Sequence, residues 1–219
     1  FALDYVARSK VGGLQISHFI YKQLPAIAPQ LYFNNLLNTG PISNFILSRV
    51  LELSYTSWDL EYFAKSCGWT GPPFRWGEER RFLLRCELDA AFFHLYLPAE
   101  VNGEWRLARK VDACPYDETS EQLAELKKHF PTPRDAAAYI MDTFPIVRRK
   151  DEEQYDGDYR TKRVILEIYD AMQESIRTGR PYQTHLNPPP GPPCDAHGHF
   201  LSLPDWKPGQ PRPADWPPH

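Results

Sequence analysis

Apolar side chains recur along most of this chain at intervals of three and four residues, the spacing that lines them up on one face of a helix. Phe1, Tyr5 and Val6 fit the end of such a helix, broken by Gly12-Gly13. Leu14, Ile16 and His18 then alternate with Gln15, Ser17 and Phe19, a period of two that predicts a short strand ended by Leu24-Pro25. Pro41, behind Thr39 as a cap, suits a helix start, and Ile42, Phe45, Ile46, Arg49, Val50 and Leu53 follow at helical spacing. Ser57 is the expected N-cap of a helix that stops at Gly68, and Gly71-Pro72-Pro73 reads as a rigid turn.

Residues 77–97 form the longest early helical pattern, with Phe82, Leu83, Cys86, Ala90, Phe93 and Leu97 on one side. Asn102-Gly103 predicts a hairpin, because that pair accepts the positive φ values of a type I′ turn, and residues 98–117 read as an insertion. Ser120 caps a short helix ending near Phe130. Thr132, Pro133 and Asp135 carry the signature of a capping box, and Pro145 ends that helix. A charged connector, 144–159, leads to a last helix over 158–178, striped by Ile165, Ile168, Tyr169, Met172 and Ile176 and followed by Gly179. The fold expected is mainly α (α+β): a small β element over 1–33, a helical domain with the hairpin insertion over 34–180, and a proline-rich extended tail over 181–219.

Composition narrows this picture. The 219 residues are 42% hydrophobic and 24% charged, as in soluble globular proteins, and the net charge of −3 leaves no global basic field. Nucleic-acid contact must therefore rest on local patches. No apolar run approaches a bilayer span, so no membrane role is expected. The four cysteines, Cys67, Cys86, Cys114 and Cys194, are irregularly spaced and include no CxxC pair, which suits free thiols in a reducing cytoplasm. Twelve of the 22 prolines lie between Pro181 and Pro218, so that segment is expected to be extended, either disordered or laid along a surface. The chain opens inside a structural element with no initiator methionine, and reads as a piece of something longer.

Several long strings resemble the C-terminal region of adenine-specific DNA methyltransferases of restriction–modification and phage-defence systems. FALDYVARSKVGGLQISHFIYKQLP looks like the close of a target-recognition domain. SYTSWDLEYFAKSCGW, PPFRWGEERRFLLRCELDAAFFHLY, YIMDTFPIVRRKDEEQYDGDYRTKRVILEIYDAM and TGRPYQT resemble the helical region that follows. The resemblance spans roughly residues 1–185, without the insertion. It implies a parent enzyme that transfers a methyl group from S-adenosylmethionine to N6 of a flipped-out adenine. It places the catalytic and cofactor motifs upstream, so no catalytic, cofactor-binding or metal residue is assigned here. The implied partners are duplex DNA, the upstream methyltransferase domain and other defence-system subunits. Asn187-Pro188-Pro189-Pro190 mimics the family's catalytic motif but lacks its aromatic residue and a preceding strand.

Candidate DNA contacts follow from charge and hydrogen-bonding capacity. Arg8, Lys10, Gln15, Ser17, His18 and Lys22, with Gln23, cluster around the predicted turn and strand, where cations suit phosphates and the polar groups suit phosphate or base edges. Arg148, Arg149 and Arg163 form a second candidate edge, although the interleaved acids Asp151, Glu152, Glu153, Asp156 and Asp158 better suit a network of exposed ion pairs that positions the last helix. Trp58, Trp69, Phe74 and Trp76 read as helix packing more than as a stacking surface. Cys194, His197 and His199 offer three metal-type ligands in a proline-rich setting. Glu78, Glu79, Glu87 and Asp89 read as solvated helix faces. The rival to a DNA-docking part is a helical protein–protein interaction module.

Overall fold

In the computed structural model, which describes residues 1–11, 18, 22–112, 114 and 116–192, the chain is mainly α-helical. Among the described residues eight α-helices follow one another: α1 (Ala2–Lys10), α2 (Ile42–Ser54), α3 (Glu61–Ser66), α4 (Glu78–Tyr96), α5 (Ser120–His129), α6 (Pro133–Asp142), α7 (Pro145–Gln154) and α8 (Arg160–Thr178). The most extensive contact is between α4 and α8. Helices α1 and α2 lie against α4, α6 and α7 against α8, and α1 also touches α6. None of these helices is long and apolar enough to cross a membrane.

The α8 stripe behaves as its spacing predicts. Ile165, Ile168, Tyr169 and Met172 are buried, and Gly179 follows in the left-handed conformation. Each such side chain contributes about 1.5–3 kcal/mol of burial. Helix α4 is buried over a wider arc than one stripe: Leu84, Cys86, Glu87, Ala90, Ala91, Phe93 and His94 are all inside. It is covered by α8 on one flank and by α1 and α2 on others, so its apolar and charged core positions interleave. The main core joins Ala2, Leu37, Ile42, Phe93, Met141, Ile165, Met172 and Tyr182. Ala2 from the first expected region and Tyr182 from the described start of the third thus pack into the core of the second. A second, smaller core gathers Leu51, Tyr55, Ala64, Trp69 and Phe74.

Helix starts follow local chemistry. Thr132 and Asp135 form the expected capping box, with the Asp135 amide donating to Thr132 Oγ1 at 3.3 Å and the Thr132 amide to Asp135 Oδ2 at 2.9 Å. The same device opens α5 one residue earlier than expected: Thr119, not Ser120, is the cap, paired with Gln122. Ser57 makes no side-chain capping bond; a 3-10 turn, Trp58–Leu60, separates it from α3.

Two expected elements are revised. The connector over 144–159 contains a helix, α7, because Pro145 occupies a first-turn position where its missing N–H costs nothing. Proline here starts a helix as well as ending one. The hairpin at 98–106 exists, with Ala99 bridged antiparallel to Trp105, but its turn is not type I′. Only Gly103 has positive φ, at +82°. The Gly103 amide donates to the Glu100 carbonyl at 2.9 Å and the Glu100 amide to the Glu104 carbonyl at 2.7 Å, the pattern of a three-residue loop closed by a glycine bulge.

The strand expected over Leu14–Phe19 lies, apart from His18, outside the described residues. His18 itself is helical, and its carbonyl accepts the Lys22 amide at 3.2 Å. The described part of the proline-rich tail, 181–192, runs as a strap along the surface of α2 and α4. The Tyr182 amide donates to the Leu37 carbonyl at 3.0 Å, and Arg80 donates to the carbonyls of Pro188 and Pro189 at 2.9 and 3.3 Å. Asn187-Pro188-Pro189 is therefore part of this seam.

Candidate functional site

Three places in the molecule concentrate chemistry: a buried charged seam beneath the strap, an apolar cleft beside the hairpin, and the surface arginines. The seam begins with Arg49 on α2 and Glu87 on α4, both almost fully buried, whose groups meet at 2.8 Å. Glu87 Oε1 also accepts the hydroxyls of Tyr182 at 2.9 Å and Thr184 at 2.6 Å. Arg49 donates back to the Phe45 carbonyl at 2.9 Å, and its guanidinium carbon lies 3.3 Å from the Phe45 ring centre. Next to it, buried Glu52 pairs with Arg80 and accepts the Gly191 amide at 2.9 Å. Burial lowers the Arg49 pKa, with Glu87 opposing that shift, and burial raises the Tyr182 pKa, with the Glu87 charge adding to it.

Glu87, read from the sequence as a solvated acid, is thus the hub of an interior network. Arg49 stood in the helical spacing pattern without a partner to explain it, and Glu52 carried no signal, for the same reason. Charged residues at core-facing helical positions carry no local signal of their partners, which here lie 38 and 95 residues away. Every polar end of the seam has a protein partner, which suits docking of the strap rather than turnover of a substrate.

The cleft holds about 280 Å³ and lies between α1, α5, α6 and the hairpin. Five aromatic residues, Tyr5, Tyr96, Trp105, Phe130 and Tyr139, line it together with aliphatic neighbours such as Leu97, Leu126 and Ile140. Tyr139 stands edge-on to Tyr5, with centroids 6.4 Å apart, and close to Phe130 at 5.1 Å. The one carboxylate in the lining, Glu118, already accepts the Ala108 amide at 2.9 Å, and the Trp105 indole donates to the Phe130 carbonyl at 2.8 Å. Such walls suit an apolar partner.

The arginines singled out for DNA are mostly engaged. Arg148 meets Glu152 at 2.6 Å and Arg149 meets Glu153 at 3.8 Å, both one turn apart on α7. Arg163 holds Asp158 at 2.7 Å and Glu167 at 3.1 Å. These are the exposed ion pairs that the interleaved acids suggested; beside them, Lys162 on α8 meets Asp142 at the end of α6 at 2.7 Å. Arg8 pairs with Asp4 at 3.1 Å and lies over the Phe144 ring. Lys10 and Lys22 are exposed and make no ion pair among the described residues, and His18 is exposed. Gln15 and Ser17 lie outside the described residues.

Comparison with known protein families, curated proteins and solved structures finds no match.

The remaining candidates divide. Trp69 and Phe74 are core, as expected, and Trp58 is edge-on to Tyr55 at 6.3 Å while partly exposed. Trp76 departs from the packing expectation, since it is 61% exposed. Cys194, His197 and His199 lie outside the described residues. Among the described residues no three His, Cys, Asp or Glu side chains gather as a metal site. Cys86 is buried and its thiol is pushed up to about 12, mainly by desolvation, which makes it an unreactive core residue.

Proposed function

We propose that this chain is a non-catalytic C-terminal part of an S-adenosylmethionine-dependent adenine-N6 DNA methyltransferase of a restriction–modification or phage-defence system. Its role is to support the recognition domain and to dock on DNA. The observation that carries the reading is where the resembling strings fall. PPFRWGEERRFLLRCELDAAFFHLY supplies α4, the long string from Tyr139 supplies α7 and α8, and TGRPYQT supplies the hydroxyls that close on Glu87. The strings therefore coincide with the frame of one helical unit. S-adenosylmethionine is assigned to the parent's upstream domain. The cleft beside the hairpin does not fit it, because its lining is aromatic and its carboxylate is spent on a backbone amide.

The reading is tested by a mobility shift of the chain with duplex DNA at low and moderate salt, alongside calorimetry with S-adenosylmethionine. Salt-dependent DNA binding without cofactor binding is the expected result. Absence of any DNA binding removes the docking role, and tight cofactor binding removes the non-catalytic assignment.

The aromatic cleft favours a second reading, a helical interaction module that recruits another defence component. Protein capture that depends on Tyr139 and Tyr5, with no DNA binding, would favour it.

A further inference from the structure

Arginines on this molecule fall into two kinds. Those noticed in the sequence have carboxylates beside them, whereas Arg75, Arg81 and Arg85 make no ion pair among the described residues. All three lie between the rigid turn and the first half of α4, with Trp76 among them. The Arg81 guanidinium sits 3.7 Å from the Trp76 ring centre and donates to the Leu53 carbonyl at 2.9 Å. Arg81 and Arg85 lie one helical turn apart on α4, and burial, then the like charge of Arg85, lower the Arg81 pKa. Glu78 and Glu52 oppose that shift, but neither makes an ion pair with Arg81, and each nearby acid has its own partner. Glu78 takes the Trp76 indole N–H at 2.5 Å, Glu52 holds Arg80, and Asp89 takes the Phe1 amine at 2.7 Å.

The ledge that presents these groups is fixed. Tyr55 donates to the Gly71 carbonyl, the Trp69 indole to the Pro72 carbonyl at 3.2 Å, and the Phe74 amide to the Tyr55 carbonyl at 2.8 Å. Arg75 and Trp76 leave the second core directly from that anchor, so little ordering is needed when a ligand arrives.

We propose that Arg75, Trp76 and Arg85 form a nucleic-acid contact, in which the two guanidiniums take backbone phosphates and the indole stacks on an unpaired base, with Arg81 holding the indole in place. An exposed ring backed by one cation, with further cations at the next residue and along the same helix, suits gripping single strands without reading sequence. The proposal rests on the DNA-docking reading and moves its contact away from Arg148, Arg149 and Arg163.

The test uses the full chain, with fluorescently labelled oligothymidylate and a duplex of equal length, over a salt series. Arg75→Gln with Arg85→Gln should weaken both probes and lower the salt slope on the single strand by about 1.4. Trp76→Ala should weaken oligothymidylate binding about 5- to 100-fold and leave the duplex within about twofold. Arg148→Gln with Arg149→Gln should change neither. If the wild-type chain binds but these patch variants match it, or the loss appears only at Arg148 and Arg149, the patch is wrong and DNA docking survives. If the wild-type chain binds neither probe, both fall.

Discussion

The Arg49 guanidinium and the Glu87 carboxylate face each other at 2.8 Å with 4% and 2% of their surfaces exposed. Two charges so far from water are tolerable only while each keeps its partner. Glu87→Ala leaves Arg49 buried and unpaired, and should cost about 3–5 kcal/mol. Urea unfolding of the variant against wild type measures this. A loss below about 1 kcal/mol would mean that water reaches the seam.

Tyr182→Phe removes one hydroxyl from Glu87 and keeps the ring packed edge-on against Phe45. The expected cost is about 2 kcal/mol, the scale of a hydrogen bond to a charged acceptor. Because the hydroxyl belongs to the strap, the same change should also speed hydrogen exchange at Gly191, whose amide is bound to Glu52. Unchanged exchange there would show that the two ends of the strap open independently.

Gly191 is the tightest point of that strap. Its φ is +84°, and a Cβ would come within 2.6 Å of Ser48 Cβ and 3.0 Å of Ser48 Cα. The backbone of α2 cannot yield as a flexible side chain could. Gly191→Ala should therefore cost more than about 1 kcal/mol and expose the strap to limited proteolysis. A variant as protease-resistant as wild type would contradict this close approach.

His94 provides a pH signature. It is buried, lies stacked on Tyr169 with centroids 3.9 Å apart, and its Nε2 is 3.1 Å from the Tyr169 carbonyl. Burial pushes its pKa down to about 4 from an ordinary 6.5. The unfolded chain therefore takes up a proton that the folded chain refuses. Stability contributed by neutral His94 is complete above about pH 6.5 and is lost as pH falls toward 4, by up to about 3 kcal/mol. His94→Phe should flatten that part of the wild-type stability profile between pH 7 and 4. A variant with the same acid slope would assign the slope to other groups.

The ion pairs of α7 should matter far less. Arg148 and Arg149 are more than half exposed and meet their partners across one helical turn. Replacing either with alanine should shift stability by no more than about 0.5 kcal/mol, measured by thermal melting in low and high salt. A larger loss would mean that α7 itself depends on them.

The legible parts of this fold are the parts whose causes are local. Thr132 with Asp135, Gly179 after α8, and the Ile165–Met172 stripe each declare themselves within a few residues. The helix α7 was hidden because Pro145 has two opposite meanings, and only tertiary context chooses between them. The Asn102-Gly103 pair signalled a hairpin correctly, but not whether one or both residues take positive φ. At the candidate sites, the runs of positive charge drew the eye to Arg148, Arg149 and Arg163, where the acids that neutralise them are one turn away. Arg75, Arg81 and Arg85 were passed over because their lack of carboxylate partners is a property of the assembled surface. Glu87 was misread because its donors Tyr182 and Thr184 are remote in the chain.

The strap also sets an order on biosynthesis. When the nascent chain has delivered α2 and α4, Glu87 has met Arg49 but still lacks two of its three donors. Those arrive only with Tyr182 and Thr184, nearly a hundred residues later, and the Leu37 carbonyl waits as long for its amide. A chain stalled or cut before that point keeps its helices yet holds a half-satisfied carboxylate at its centre, and should be an early substrate for cellular quality control.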